Sequence, residues 1–239
     1  MLIQSSAQAT SVVKALIFDF DGLILETEGP DYQSWDEVYR SYGCSLPLEK
    51  WVECIGSMDT FDPNLYLEQQ LGQPVDRKEI RARRRARQVE LLANQTILPG
   101  VEDYITAARR LGLKLGLASS SSREWVIGHL SRFGLEASFD CIKCGDEVIR
   151  TKPDPALYLS ALQGLEIEPH EAIALEDSPN GCLAAKRAGI FCVAVPNRMT
   201  QNLVFDSVDM RLTSLAQLPL EELLLQITDR RRDEQGMQR

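Results

Sequence analysis

Five short apolar runs, at residues 12–23, 113–118, 139–143, 172–175 and 190–195, are separated by segments whose apolar residues recur at helical spacing. This alternation limits the fold more than any other feature of the chain. Runs that are apolar throughout belong to strands buried on both faces, so repeated strand and helix imply a parallel sheet with helices on each side. The expected class is α/β, a doubly wound parallel sheet. Breakers fall where that reading needs them: Gly112 after a helix over 101–111, Gly134 after one ending near Phe133, and Gly189 after one opened by Ser178 and Pro179. Ser121 and Glu124 are spaced as a capping box, and Asp154 with Pro155 starts a further helix. Residues 220–227 read as a terminal helix on the core, with a polar tail from Thr228.

Residues 31–94 interrupt the pattern. Helical spacing appears at Tyr32, Trp35, Val38 and Tyr39, at Leu65, Leu67 and Leu71, and from Ile80 to Leu92, with Gly43, Gly56, Gly72 and Pro74 as breakers. No convincing strand lies there, so a small helical insert is expected. A length of 239 residues accommodates a domain plus such an insert.

In sheets of this kind ligands bind beyond the carboxyl ends of the strands, near the point where strand order reverses. The unusual residues of this chain stand at those ends. The first run finishes in Asp19 and Asp21, two apart and so projecting to one side, followed at once by Gly22. Two anions that close do not easily both stay ionised. Either a cation sits between them or one carries a proton, which gives a metal site or a nucleophile beside a general acid. Gly22 allows a sharp turn and close approach of the backbone to a ligand. Ser119 follows the second run, Glu176 and Asp177 follow another, and Lys152 lies in the loop before a helix.

Charge and cysteine usage exclude other classes. A net charge of −9 disfavours a general polyanion binder such as a nucleic-acid protein, so a phosphate site here must be built locally from a metal, helix N-termini and one or two cations. The six cysteines are scattered, and the Cys141–Cys144 pair has no second pair or histidine to complete a zinc site. With only His129 and His170 present, histidine chemistry is nearly excluded. No run is long and apolar enough for a membrane helix, and residues 1–11 read as a frayed polar terminus without secretory character. Reduced thiols in a cytoplasmic protein are expected.

The ordered set of DxDG, a strand-terminal serine, a lysine before proline and an acidic pair resembles the haloacid dehalogenase superfamily of phosphotransferases. FDFDGLILETE, GLASSSSREW, KPDP and LEDSPNG resemble the subfamily that includes beta-phosphoglucomutase and many small sugar-phosphate phosphatases. The resemblance implies a Rossmann-like core of residues 1–27 plus 95–239, with residues 28–94 as a helical cap that closes over the site and selects the substrate. It also implies roles. Asp19 becomes the nucleophile that carries the phosphoryl group, and Asp21 the acid and base. Magnesium is held by Asp19, the main-chain carbonyl of Asp21 and Asp177, with Glu176 as a further ligand. Ser119, with N–H groups near Gly22 and Ser120, binds phosphoryl oxygens, and Lys152 balances their charge. The partner is a small phosphorylated metabolite. Oligomeric state is not readable from these residues.

Departures from the subfamily refine the expectation. Glu26 replaces the usual aspartate of DTE. Asp31 and Asp59 occupy positions where a mutase has a histidine and an arginine, and neither grips a second phosphate. Hydrolysis of a monophosphate is therefore expected over sugar-phosphate mutation, which is kept as the alternative. A phosphorylation-switched receiver module is disfavoured by length and by the acid two residues after the acceptor, and a dehalogenase by Asp21 and Asp177. Arg81, Arg83, Arg84, Arg85 and Arg87 spread around more than one face of a helix and read as a solvated surface. The sharper alternative is that one of them reaches the substrate.

Overall fold

The computed structural model describes residues 13–57, 61–206 and 208–237. The expectations for residues 1–11 and for Asp59 lie outside the described residues. Strands β1 (Ala15–Phe18), β2 (Lys114–Ala118), β3 (Cys141–Lys143), β4 (Ala172–Glu176), β5 (Phe191–Ala194) and β6 (Met210–Arg211) form one sheet in the order β3-β2-β1-β4-β5-β6. Every neighbouring pair is parallel. The architecture is the expected doubly wound, Rossmann-like α/β fold, and its strand order reverses between β1 and β4.

Side chains of opposite parity go to opposite faces. Leu16 and Phe18 of β1 and Ile173 and Leu175 of β4 enter one apolar layer with α5 (Val101–Arg110), α6 (Arg123–Arg132) and α9 (Leu220–Met237). Ala15, Ile17, Ala172 and Ala174 enter the other with α7 (Ala156–Leu165) and α8 (Pro179–Arg187). The second layer is lined by alanines on the strands, which lets α7 and α8 approach the sheet closely. A fully buried side chain such as Phe18 stabilises the fold by about 1.5–3 kcal/mol.

Between β1 and α5 lie α1 (Glu28–Ser41), α2 (Leu48–Val52), α3 (Pro63–Leu71) and α4 (Arg77–Leu92). They share an apolar cluster of their own, built on Trp35, Val38, Tyr39, Leu46, Trp51, Ile55, Leu67 and Ile80. Asp62 and Asp76 cap α3 and α4 by accepting backbone N–H bonds of the first turn.

The structure departs from the sequence expectation at several ends. β1 stops at Phe18, because the chain then turns back and the Phe20 carbonyl accepts the Ile24 N–H at 2.9 Å. The cap of α6 is Ser122 and not Ser121, which is drawn into the site instead. Helix α7 starts after Pro155, with the Asp154 carboxylate accepting from Ala156 N at 3.0 Å. β6 is two residues long and carries no periodic signal. The tail expected from Thr228 continues α9, since its residues are mostly good helix formers and Arg230 donates to the Asp209 carbonyl at 2.6 Å.

Candidate active site

In β1, Phe18 pairs with Leu117 on one side and Leu175 on the other, so the residues that follow all three strands emerge together at the switch point. Asp19 is tied there by its N–H, which donates to the Leu175 carbonyl at 3.0 Å. The turn beyond depends on Gly22. Its φ is +76°, and a Cβ at this position would lie 2.4 Å from both Asn197 Nδ2 and Asp177 Oδ2.

Asp19, Lys152 and Glu176 form a buried charged triad. The Lys152 ammonium donates to Asp19 Oδ1 at 2.5 Å and to Glu176 Oε1 at 2.6 Å. Glu176 is fully engaged: Oε1 also accepts from the Tyr158 hydroxyl at 2.8 Å, and Oε2 accepts from the Asp177 and Ser178 N–H groups and the Ser178 hydroxyl. The first turn of α8 approaches this carboxylate because residue 181 is glycine, where a Cβ would lie 2.0 Å from it. Burial works against the ammonium, but the Asp19 and Glu176 carboxylates outweigh it and hold Lys152 above its ordinary value. Tyr158 is likewise pushed well up by burial and by the Glu176 charge.

Asp177 lies beside the triad and is 1% exposed. Its Oδ2 accepts from Asn197 Nδ2 at 2.7 Å, whereas its Oδ1 is buried without a hydrogen-bond partner. Asp19, Glu176 and Asp177 each place an oxygen within 4.8 Å of the others. Burial pushes Asp19 up to about 8, with Lys152 opposing and Glu176 and Asp21 reinforcing the shift. Asp177 is driven well above the usual carboxylate range by burial and by the Asp19 and Glu176 charges. A crowd of hard oxygen donors, with one buried oxygen left over, fits a divalent cation of the magnesium class. Since Glu176 already has its acceptors occupied, Asp19 and Asp177 are the carboxylates suited to hold an ion.

Asp21 accepts four hydrogen bonds. Oδ1 receives the Thr27 hydroxyl at 2.8 Å and the Trp125 indole N–H at 2.9 Å. Oδ2 receives the Ser121 hydroxyl at 2.6 Å and, more loosely, the Ser119 hydroxyl at 3.4 Å. Ser119 Oγ in turn accepts the Ser121 N–H at 3.0 Å. The Ser120 side chain points to the helical insert and donates to the Gly56 carbonyl at 3.0 Å, while Asn180 Nδ2 donates to the Ile55 carbonyl at 2.9 Å. The loop after α2 therefore rests on the rim of the site.

The first turn of α1 faces the same space. Half-buried Glu28 is pushed well above its ordinary range by burial and by the surrounding carboxylates, Asp21 first among them. Asp31 accepts from Arg84 and Gln88 of α4. Of the five arginines, Arg84 alone turns inward, lying over the Trp35 ring at 3.9 Å. Arg87 pairs with Glu37 and Glu90, Arg85 with Glu124 of α6, and Arg83 with the Ser41 hydroxyl.

The structure thus brings together Asp19, Asp21, Gly22, Ser119, Lys152, Glu176 and Asp177 from separate stretches of chain. Thr27, Ser121, Trp125, Tyr158 and Asn197 join them without having been foreseen. Thr27, Ser121 and Trp125 lay inside the FDFDGLILETE and GLASSSSREW motifs but carried no assigned role, and the apparent capping spacing of Ser121 concealed it. The Cys144, Asp146 and Glu147 group also clusters, but its carboxylates already serve the Arg123 and Cys144 N–H groups and the Lys143 ammonium.

A family model of haloacid dehalogenase-like hydrolases matches residues 16–195, which include all these residues except Asn197. The chain belongs to that family. This haloacid dehalogenase-like hydrolase is 47% identical over 213 residues to YhcW of Bacillus subtilis (strain 168), a match covering 89% of this chain and 97% of that protein. It is 31% identical over 219 residues to hexitol phosphatase B of Escherichia coli (strain K12), covering 89% and 97%. The crystal structure of a CbbY mutant from Rhodobacter sphaeroides, in complex with xylulose-(1,5)bisphosphate, is similar with a TM-score of 0.76 and 31% identity, covering 89% of this chain and 99% of that one.

Proposed function

We propose that this hydrolase is a magnesium-dependent phosphatase that cleaves the phosphate monoester of a small metabolite, a sugar phosphate or a related polyol, by way of an aspartyl phosphate on Asp19. One observation carries the reading: the buried Asp19–Lys152 pair beside an Asp177 oxygen that has no partner. Phosphoryl transfer needs positioning and neutralised charge more than covalent assistance, and both are supplied at one point. The names of hexitol phosphatase B and of the CbbY complex support the substrate class.

In the first half-reaction an Asp19 oxygen attacks phosphorus, the bond to the ester oxygen breaks, and Asp21 gives its proton to the departing alkoxide. In the second, Asp21 takes a proton from water as that water attacks phosphorus, the bond to Asp19 breaks, and inorganic phosphate leaves. Lys152 balances the charge on Asp19 and on the transferred group, and Glu176 steadies Lys152. Ser119, with the N–H groups near Gly22 and Ser120, holds phosphoryl oxygens. Magnesium, held by Asp19, the Asp21 carbonyl and Asp177, supplies further neutralisation of those oxygens. Residues 28–94 act as the cap. Mutase activity is the weaker reading: Asp31 of α1 stands where a mutase of the resembled subfamily has a histidine, and the inward arginine, Arg84, is already paired with it.

A screen of phosphorylated metabolites with phosphate release as readout identifies the ester. Asp19→Asn is expected to abolish turnover of every ester in the screen with an unchanged circular dichroism spectrum, and EDTA to silence the wild type reversibly. Retained turnover in Asp19→Asn overturns the reading.

A further inference from the structure

Three tryptophans occur in the chain, and two of them, Trp35 and Trp51, lie in the apolar cluster of the helical insert. The third, Trp125, stands in the first turn of α6 with its indole N–H on Asp21 Oδ1 at 2.9 Å. Packing fixes the direction of that N–H. The ring meets His129, one turn along α6, edge to face with centroids 4.4 Å apart. His129 is stacked in turn on Phe20, at 6.1 Å and 28°, and Phe20 is the residue between Asp19 and Asp21. The backbone that presents the acid and the ring that grips it are thus parts of one stack.

The other donors to Asp21 are of a different kind. Ser119, Ser121 and Thr27 are hydroxyls, which rotate and also accept, so each can turn to another partner. An indole N–H donates along a single direction and accepts nothing. Among the donors to this carboxylate, Trp125 is the fixed point.

We propose that Trp125 is a positioning residue for Asp21, holding one carboxylate oxygen where it exchanges protons with the leaving group and with water. The proposal rests on the phosphatase reading above. A short aspartate side chain on a turn has several rotamers, and restricting it to one raises the fraction of bound substrate that is correctly met. The substrate itself does not depend on Trp125 for binding, so the effect falls on kcat.

Two readouts test this with the full chain. In the presence of magnesium chloride and p-nitrophenyl phosphate, Trp125→Phe, which keeps the ring and removes the N–H, is expected to lower kcat by about 10-fold to 100-fold, as for loss of a hydrogen bond to a charged group. KM is expected to stay within about twofold, as for an interaction used after binding. Independently of turnover, the three indole N–H signals of the 15N-labelled protein are assigned by single Trp→Phe replacements. In Asp21→Ala the Trp125 signal is expected to move upfield while the other two hold still, and this arm decides even if Trp125→Phe does not fold. An unmoved Trp125 signal, or an unchanged kcat in folded Trp125→Phe, overturns the positioning role. A wild type inert toward every ester of the metabolite screen overturns the phosphatase reading instead, and the indole shift separates the two failures.

Discussion

The switch point of the sheet and the arginine-rich face of α4 both bring acids and bases together, in opposite surroundings. At the switch point the Lys152, Asp19 and Glu176 side chains are 1%, 8% and 1% exposed. On α4, the Arg85 and Glu124 side chains are 69% and 75% exposed. Water screens the second set, and each such pair contributes between roughly nothing and 1 kcal/mol. Removing charges from water costs several kcal/mol per ion, and attraction repays it only where geometry and further hydrogen bonds are good. A fold does not need the first arrangement for stability, since apolar residues of similar size serve as well. Its presence at the carboxyl ends of the strands is therefore a mark of chemistry, while the second needs no function to explain it.

The sharpest way to break this comparison is Lys152→Met. Two buried carboxylates then face each other without their cation, and a loss of about 3–5 kcal/mol is expected in urea unfolding, together with loss of phosphate release. Magnesium chloride is expected to recover part of the stability and none of the turnover. If the unfolding midpoint hardly moves, the pair is less isolated from water than its burial indicates, and the contrast with α4 falls.

A second effect is set by protons. Burial first, then the Glu176 and Asp21 charges, place Asp19 at about 8 against an ordinary 3.8, and Asp177 is raised in the same direction. A carboxyl raised on folding holds a proton that the unfolded chain has released. The metal-free protein is therefore expected to lose stability as pH climbs from about 4 to about 8 and to level off above. A divalent ion must displace those protons, so the stabilisation by magnesium is expected to grow across the same interval. Thermal melts at a series of pH values, with and without magnesium chloride, measure both trends. A magnesium increment independent of pH would mean that Lys152 alone keeps Asp19 ionised.

The same contrast governs what could be read from the sequence. Asp19, Asp21, Glu176 and Asp177 were legible because an apolar strand has no structural reason to end in paired acids, and the strand pattern itself placed them at one edge. Ser119 and Lys152 became legible through their order along the chain. Trp125, Thr27, Tyr158 and Asn197 were not, because each is a residue type at home on a helix or loop, and only the fold brings its polar atom to the acids. Ser121 was misassigned for a related reason: adjacent serines offer the same hydroxyl, and which of Ser121 and Ser122 caps α6 is decided by the pull of Asp21. β6 and the length of α9 escaped because short strands and polar helices lack periodicity.

The smallest effects separate the arginines of α4 from one another. Arg84 lies over Trp35, donates to the Ser34 hydroxyl at 3.2 Å and neutralises Asp31, so Arg84→Ala removes packing and leaves an acid in a poorly hydrated place. Burial already pushes Asp31 up against the pull of Arg84, so the isolated acid is expected to take a proton rather than remain a bare charge. The resulting drop in melting temperature should therefore be modest. Arg85→Ala breaks only a screened link between α4 and α6 and is expected to change stability by less than about 1 kcal/mol. Neither substitution is expected to raise KM for the ester identified in the screen. A rise in KM confined to Arg84→Ala would show that its guanidinium leaves Asp31 to meet substrate, and the helical face would then belong with the buried site rather than stand apart from it.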